Sequence, residues 1–409
     1  MTTTILTCLL IILAIPVCFL SIEVGASIFS LRRKKWMLFE QEEGCVLAEE
    51  VKLVVLVPAH DEEVVIESTL KGVREQLRPQ DRLLVVADNC SDTTAVVARK
   101  MGAEVIERSD ATKRGKGYAL DFGIQFLRSN PPDVVVIMDA DVQVGEGTIP
   151  MIARLAYRHQ RPVQAKNLLF LTDKPCHRDM LSAFAFLLKN YIRPLGLMHL
   201  GGCCLLTGTG MAFAWKNIAD VKLASGNIVE DMQLGLDLAI KGSGPLYCPE
   251  ALVTSEIAPS MRPALTQRAR WEHGHFQTII DKSVRLFREA ISQRRLDLAL
   301  LGLELSVPPL ASLALLLGAG CLFSLILYLV GWVPVEILVT FFFLIVLSAI
   351  SVLSGWMFLK KDILPGQVFL SIPTYILWKI PIYVQLFFIR NAKWTKTTRR
   401  IKKNKISKN

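Results

Sequence analysis

The segment DVVVIMDAD, residues 133–141, decides the fold class of this sequence. Its middle, Val134 to Met138, is a continuous apolar run, which is typical of a strand whose two faces are both buried in a parallel sheet. The run ends at Asp139 and Asp141, two carboxylates on either side of one alanine. Paired carboxylates at a strand end can bind a hard divalent cation, Mg²⁺ or Mn²⁺, while a diphosphate supplies further ligands. The segment therefore predicts a buried strand that ends at a metal site.

Three shorter runs of branched apolar residues precede this strand and alternate with segments of helical periodicity. We predict strands over residues 52–57, 82–87 and 103–106. Such alternation indicates βαβ units, so we expect an α/β domain with a Rossmann-like, mainly parallel sheet over residues 51–280. Ligands bind such sheets at the carboxyl ends of the strands, where Asp61 and Asp88 also stand. An aspartate after a strand can instead be a turn former, and this alternative stays open for each of them.

A basic stretch with two glycines, KRGKG at residues 113–117, stands before a predicted helix that begins near Tyr118. Cations and flexible glycines at the start of a helix can bind a phosphate group. The stretch does not match G-x-x-x-x-G-K-[ST], and no G-x-G-x-x-G follows the first predicted strand. The usual fingerprints of nucleoside triphosphate hydrolysis and hydride transfer are therefore missing from the sequence.

Three apolar blocks reach the ~20 residues that a membrane-spanning helix needs. They cover residues 5–31, 310–330 and 335–359. Basic residues follow the first and the third block, whereas the turn at residues 331–334 has no Lys or Arg. By the positive-inside tendency, we expect the amino terminus and this turn outside the cytoplasmic membrane and the α/β domain on its cytosolic side.

Two further segments combine basic and apolar residues. Residues 281–307 contain several arginines amid Leu, Phe and Ile, and residues 363–389 contain prolines and Lys379. From Arg390 onward the chain has nine basic residues and no acidic one. We expect both segments to lie in the membrane interface, although the second could cross the membrane. The predicted divisions are an anchor (1–31), a juxtamembrane segment (32–50), the α/β domain (51–280), an interfacial helix (281–307), two spans (308–359), an interfacial or re-entrant segment (360–390) and a basic tail (391–409).

Composition narrows the class of protein. The 409 residues include 47 Lys and Arg against 37 Asp and Glu, a net charge of +10, and 52% are hydrophobic. A chain this apolar is neither disordered nor an ordinary cytosolic enzyme. Its basic excess lies largely beside the predicted membrane segments, so membrane lipids explain it better than nucleic acid does. Nine cysteines without a C-x-x-C pair indicate neither a disulfide framework nor a structural zinc site.

Several motifs together resemble those of the membrane-embedded family 2 glycosyltransferases, the group of cellulose, hyaluronan and poly-N-acetylglucosamine synthases and ceramide glucosyltransferase. The motifs are PAH at 58–60, VVADN at 85–89, RGKG at 114–117, DAD at 139–141, VED at 229–231 and QRARW at 267–271. The Q-x-x-R-W pentad, about 36 residues after the Glu-Asp pair, is the most specific of them. The likeness covers nearly the whole chain.

The resemblance implies a GT-A fold that transfers a sugar from a nucleotide-diphospho-sugar, most simply a UDP-sugar, with inversion and with Mg²⁺ or Mn²⁺. The implied catalytic residues are Glu230, Asp231 as general base, kept ionised at a helix start, and Arg270, which neutralises the leaving diphosphate. The implied donor-binding residues are Asp61, Asp88, Lys116, Asp139, Gln267 and Arg268, with Asp139 and Asp141 on the metal. The implied acceptor-binding residues are Gly208, Thr209 and Trp271.

The acceptor is less well specified than the donor. Asp61 stands where many relatives have Asn, Val229 replaces Thr or Ser, and LTGTG at 206–210 matches the acceptor-side loop only in part. A lipid, a lipid-linked glycan and a growing polysaccharide all stay open, and three spans are few for a complete channel, so export would need partner proteins. A catalytically inactive scaffold or glycan-binding protein is the alternative from another class. We expect His273 and His275 on a helix surface or beside the diphosphate rather than on a metal.

Overall fold

We describe the structure, a computed structural model, over residues 2–33, 47–171, 175–224, 229–257, 261–358 and 364–388. Within these ranges the side chains of residues 261–264, 266, 267 and 385–388 are not described. The predicted basic tail, most of the predicted juxtamembrane segment and the side chain of Gln267 therefore lie outside the described residues.

The strands form one eight-stranded sheet. They are β1 (Leu53–Ala59), β2 (Arg82–Asp88), β3 (Glu104–Arg108), β4 (Val134–Ile137), β5 (Val142–Val144), β6 (Val163–Phe170), β7 (Met211–Ala214) and β8 (Leu246–Glu256). Their order is β3-β2-β1-β4-β7-β6-β8-β5. The pairs β1–β2, β1–β4, β2–β3 and β6–β8 are parallel, and β7 and β5 pair antiparallel to their neighbours. The predicted α/β fold with a mainly parallel sheet is confirmed.

Both faces of the sheet are covered, which explains the unbroken apolar runs of the central strands. In β1, Val55 and Val57 pack into one hydrophobic core with α2 (Ile66–Arg74) and with a helix after β5, while Val54 and Leu56 pack into another on the opposite face. All four side chains are at most 1% exposed. Because neither face meets water, no position of the strand can be polar.

The helices cover the sheet or form the apolar ends of the chain. They are α1 (Thr2–Arg32), α2, α3 (Thr94–Lys100), α4 (Lys116–Leu127), α5 (Thr148–His159), α6 (His177–Leu187), α7 (Arg193–His199), α8 (Trp215–Ile218), α9 (Glu230–Ile240), α10 (Met261–Gln293), α11 (Leu296–Ser306), α12 (Leu310–Leu329), α13 (Val335–Phe358) and α14 (Ile372–Phe388). A π-helical turn, Leu188–Ile192, joins α6 to α7, and a 3₁₀ helix, Gly366–Ser371, precedes α14.

Three helices of the described chain are long and apolar enough to cross a membrane: α1, α12 and α13. They correspond to the three predicted spans. Helix α1 packs against α13 and α7, and at its contact with α7 a side chain on Gly196 would overlap the backbone carbonyl of Glu23. Arg193 joins this contact, because its Nε donates to Glu23 Oε2 at 2.9 Å and its Nη2 to Glu304 Oε2 at 2.6 Å. All three charged side chains are buried.

The region predicted as one interfacial helix over residues 281–307 is divided differently in the structure. Helix α10 starts at Met261, runs through residue 280 and ends at Gln293. Arg294 then takes a left-handed conformation with φ of 52°, which ends the helix, and α11 follows. The predicted boundary at residue 280 therefore falls inside a continuous helix.

Two placements were predicted for His273 and His275: the helix surface is wrong, and the place beside the diphosphate stays a prediction. Their side chains are 8% and 3% exposed, because α14 and α11 pack over that face of α10. His273 Nε2 lies 3.1 Å from the carbonyl of Ile382 in α14, and His275 Nε2 lies 3.2 Å from that of Leu305 in α11. Burial lowers the pKa of His275 to about 3, so its imidazole is neutral. These histidines therefore join α10 to its neighbouring helices.

Candidate active site

The end of β2 presents a buried carboxylate. Asp88 is 5% exposed, and its Oδ1 accepts from Arg108 Nη1 at 2.6 Å and from Asn89 Nδ2 at 3.0 Å. Arg108 ends β3, whose register pairs it with Asp88, and its guanidinium lies 5.6 Å from the ring of Tyr118. His60, after β1, lies 2.7 Å from the backbone carbonyl of Asp88 through its Nδ1. Sequence reasoning identified Asp88 but missed Arg108, which fixes its orientation.

Asp61 organises the neighbouring loop. Its φ of 51° turns the chain after β1, and its Oδ1 accepts from the backbone N–H of Ser91 at 2.6 Å. Ligand atoms of Asp61, Cys90 and Asp92 lie within 4.8 Å of one another and could in principle hold a metal ion. Burial raises the pKa of the Cys90 thiol to about 11, and sulfur is a soft ligand, whereas Mg²⁺ and Mn²⁺ prefer oxygen ligands. The group of Asp61, Cys90 and Asp92 therefore fits a hard divalent cation less well than the carboxylate pair Asp139 and Asp141 does.

The start of α4 and the end of β4 meet through one lysine. The ammonium of Lys116 forms an ion pair with Asp139 and donates to the carbonyl of Gly208 at 2.7 Å. The backbone N–H of Asp139 donates to Thr209 Oγ1 at 3.0 Å. Burial by itself would lower the pKa of Lys116, but Asp139 and the acidic residues beyond it raise the pKa above its ordinary value. Four predicted site residues, Lys116, Asp139, Gly208 and Thr209, are thus joined in one network of contacts.

Glu230 and Asp231 begin α9 beside this group. Gly208, with φ of 88°, lets the loop approach so closely that a side chain there would lie 3.1 Å from Asp231 Oδ2. Burial and the charge of Asp231 raise the pKa of Glu230 to about 8. Burial also raises the pKa of Asp231, and Lys116 opposes that rise. The expected helix-start stabilisation of the Asp231 charge is therefore outweighed by burial, and both carboxyl groups have pKa values above their ordinary ones.

Helix α10 contributes the pentad. Arg270 lies where the charges of Glu230, Asp139 and Asp141 act on it, although burial lowers its pKa. Trp271 packs on Phe186, with ring centroids 5.9 Å apart.

Arg268, predicted to bind the donor, contacts α14. Its Nη1 donates to the Tyr375 hydroxyl at 2.9 Å, and its guanidinium lies 5.7 Å from the ring of Trp378. A buried ion pair between Lys379 and Glu272 adds a second link between the same two helices. Neither link carries a signal in the sequence, because the partners are about a hundred residues apart.

One cavity of about 890 Å³ joins these groups to the apolar helices. Its polar end is lined by Asp88, Lys116, Asp139, Asp141, Glu230, Asp231 and Arg270. Its apolar end is lined by residues of α12, α13 and α14, among them Leu313, Leu317, Gly318, Ala349, Leu353 and Ile376. Trp271, Gly208 and Thr209 also line the cavity. The arrangement can hold an anionic ligand at one end and an apolar one at the other.

Comparison with known proteins identifies a domain in the middle of the chain. The family model described as "Glycosyltransferase like family 2" matches residues 51–274. A probable glycosyltransferase YdaM of Bacillus subtilis is 41% identical over 98 residues, 22% of this chain and 23% of that protein. A 4,4'-diaponeurosporenoate glycosyltransferase of Staphylococcus haemolyticus is 31% identical over 125 residues, 28% of this chain and 32% of that protein. The matched parts thus span less than a third of the length of either relative.

The chain is also similar to solved structures of glycosyl-transferring enzymes. The mannosyltransferase PcManGT from Pyrobaculum calidifontis, in complex with GDP-Man and Mn²⁺, is 15% identical, with a TM-score of 0.49 over 87% of this chain and 99% of that one. Glucosyl-3-phosphoglycerate synthase from Mycobacterium tuberculosis, in complex with Mn²⁺, UDP and glucosyl-3-phosphoglycerate, is 20% identical, with a TM-score of 0.37 over 55% of this chain and 80% of that one.

Proposed function

The chain belongs to glycosyltransferase family 2, and we propose that it transfers a sugar, with inversion, from a nucleotide-diphospho-sugar to a lipid acceptor in the membrane. The observation that carries the proposal is the single cavity lined both by the acidic strand ends and by the apolar helices α12, α13 and α14. A lipid can bring its reacting oxygen to the donor end while its apolar part stays among these helices. The proposed donor is a UDP-sugar, and GDP-sugars are the alternative.

At the donor end, Asp88 accepts a hydrogen bond from the base or ribose, because Arg108 holds its carboxylate in place. Lys116 and Arg270 are the cations for the diphosphate. Asp139 and Asp141 fit Mg²⁺ or Mn²⁺, because their hard carboxylate oxygens line the same cavity as Lys116 and Arg270, where the diphosphate is proposed to bind. When bound, the metal would neutralise charge on the diphosphate.

At the reacting centre, Asp231 takes the proton of the acceptor hydroxyl as its oxygen attacks the anomeric carbon. The bond from that carbon to the diphosphate breaks, and the diphosphate leaves with the electron pair, its charge balanced by Arg270 and Lys116. The charges of Lys116 and Lys189 oppose the rise in the pKa of Asp231 and so favour its ionised form, which is the form that accepts a proton. Attack from the side opposite the leaving group inverts the anomeric configuration.

Two alternatives to sugar transfer onto a lipid are compatible with the same site. A lipid-linked glycan or a growing polysaccharide could pack its sugar rings on Trp271, which lines the cavity. An inactive scaffold or glycan-binding protein could keep the fold, but the chain retains Asp141, Asp231 and Arg270. The apolar end of the cavity favours the lipid.

The test is turnover of a panel of UDP- and GDP-sugars by the full chain, purified with its own membrane lipids, followed by mass spectrometry of the products. We expect a lipid that gains a single hexose mass with one donor. A ladder of products with many sugars would favour the polysaccharide alternative. Donor binding without any transferred sugar would favour the inactive scaffold.

For the membrane arrangement, we propose that the α/β domain and the basic tail share the cytosolic side. A cysteine introduced at Trp332 should react with a membrane-impermeant reagent on intact cells, and one at Lys405 only after permeabilisation, with the labelled peptide read by mass spectrometry. Reaction at position 405 from outside would mean that residues 360–390 cross the membrane.

A further inference from the structure

Lys189 is held in place by the fold. It lies in the π-helical turn between α6 and α7, a type of irregularity that is frequent at functional sites. Its neighbour Leu188 is 0% exposed and Asn190 is 4% exposed. Asn190 Nδ2 donates to the carbonyl of Asn167 at 3.1 Å, and the hydroxyl of Tyr247 donates to the carbonyl of Asn190 at 2.8 Å. The backbone that carries Lys189 is thus fixed by packing and hydrogen bonds on both sides.

The ammonium of Lys189 interacts with acidic side chains that line the same cavity. Lys189 lines the cavity, and its charge interacts with those of Asp231, Glu272 and Glu304. Burial, followed by the nearby cation of Arg193, lowers its pKa. A cation in such surroundings is stabilised by any anion that comes within hydrogen-bond distance.

Within the described part of the chain, Lys189 makes no hydrogen bond or ion pair, whereas Lys116, Arg193 and Lys379, which line the same cavity, each make one. Lys116 pairs with Asp139, Arg193 with Glu23 and Glu304, and Lys379 with Glu272. Arg270 also has no ion pair in the described part of the chain, but it already has a proposed role in binding the diphosphate. Lys189 is left with no role in the reaction as proposed above.

We infer that Lys189 binds an anionic group, a carboxylate or a phosphate, on the head of the lipid acceptor. The inference rests on the proposed function, since it concerns the acceptor of that reaction. The apolar part of such an acceptor lies among α12, α13 and α14, its anionic group contacts Lys189, and its reacting oxygen comes to Asp231. The site would thus select amphipathic acids over neutral lipids of the same length.

The test is binding in the absence of donor. The full chain, in nanodiscs of neutral phosphatidylcholine, is titrated by calorimetry with farnesol, farnesoic acid and farnesyl phosphate, which share one apolar chain and differ in the head group. We expect at least one of the two acids to bind about tenfold to a hundredfold more tightly than farnesol. Preference for farnesyl phosphate would identify a lipid phosphate as the source of the anion, and preference for farnesoic acid a lipid carboxylate.

Variants decide whether Lys189 is responsible. Lys189→Met should remove the preference for the acid, Lys189→Arg should keep most of it, and the exposed control Lys100→Met should leave it unchanged. Equal binding of the three compounds, or a preference that survives in folded Lys189→Met, would overturn the inference. If folded Lys189→Met cannot be obtained, the test rests on Lys189→Arg: loss of the preference in this folded variant, with the preference intact in Lys100→Met, would overturn the inference, because a cation is still present at position 189. No sugar is transferred in this binding assay, so it is independent of the turnover test. If the proposed function were wrong, the chain would still prefer the acids here but would transfer no sugar in the turnover test.

Discussion

At the donor end of the cavity, charged side chains stand at strand ends and at the starts of α4 and α9, and two of them form ion pairs: Asp88 with Arg108, and Asp139 with Lys116. At the acceptor end, apolar side chains come from three helices that begin more than 300 residues into the chain and offer no polar pattern. The donor end is thus fixed by pairwise contacts that a single substitution can break. The acceptor end is an apolar space, and substitutions there change its size rather than break a specific contact. The two ends should therefore respond to mutation in different kinetic parameters.

The largest effect is expected where the two ends meet. Asp231→Asn should lower transfer by about 10² to 10⁴ while leaving donor affinity nearly intact, because it removes the proton acceptor but no proposed donor contact. Turnover and donor affinity are measured on the same folded variant, with Asp237→Asn on the exposed side of α9 as the control. If Asp231 only caps the helix, Asn would serve almost as well, and a variant with more than about a tenth of the wild-type rate would exclude the catalytic role.

A smaller effect, confined to the donor end, is expected from loss of the metal. Excess EDTA should abolish transfer, and Mn²⁺ or Mg²⁺ should restore it. Asp141→Asn should weaken donor binding in calorimetry by at least about tenfold, since a metal ligand acts on binding as well as on turnover. Asp220→Asn, an exposed carboxylate, serves as the control. Full activity in EDTA, or unchanged donor affinity in the Asp141 variant, would contradict the metal role.

The acceptor end is tested by filling it. Gly318 in α12 lines the cavity, and a Cβ atom built there meets no atom within 4 Å, so we expect the backbone to accept Gly318→Leu. We expect the acceptor KM to rise by about tenfold while the donor KM stays unchanged. Gly25→Leu is a matched control, because Gly25 is equally open but lies in α1 away from the cavity lining. A rise in the donor KM instead would mean that the two ends are not separable.

The smallest effect is a shift in pH dependence. Lys116 and Lys189 both lower the pKa of Asp231, against burial and the charge of Asp139, which raise it. Removing one cation in Lys189→Met should raise the pKa of Asp231, so the acid limb of the kcat profile should move to higher pH. Lys189→Arg keeps the charge and should leave the limb in place. A shift to lower pH in the Met variant would contradict the assignment of that limb to Asp231.

The donor end could be read largely from the sequence, because its residues lie in short motifs at the ends of apolar runs. Asp88, Lys116, Asp139 and Asp231 were predicted to meet, and they do meet around one cavity. Arg108 was missed, although a basic residue at the end of the next predicted strand was a usable signal, since parallel neighbours in register bring their ends together.

The acceptor end could not be read in the same way. His273 and His275 were misjudged because a His-Gly-His sequence looks like an exposed polar face, and only the docking of α14 and α11 buries it. Lys189 belongs to no motif, and its position depends on a π-helical turn that periodicity does not reveal. Such contacts join residues far apart in the chain, so a single sequence carries no local trace of them.

The buried group of Glu23, Arg193 and Glu304 has a consequence for how the protein is made. Synthesis delivers Glu23 first, inside an apolar helix, and its partner Arg193 follows 170 residues later. Glu304 comes 111 residues after Arg193. A carboxylate without its partner is costly within the hydrocarbon of a membrane. The first helix of the nascent chain can therefore reach its final packing only after three quarters of the protein has been synthesised. Until then, water, lipid head groups or the insertion machinery must solvate the carboxyl group of Glu23.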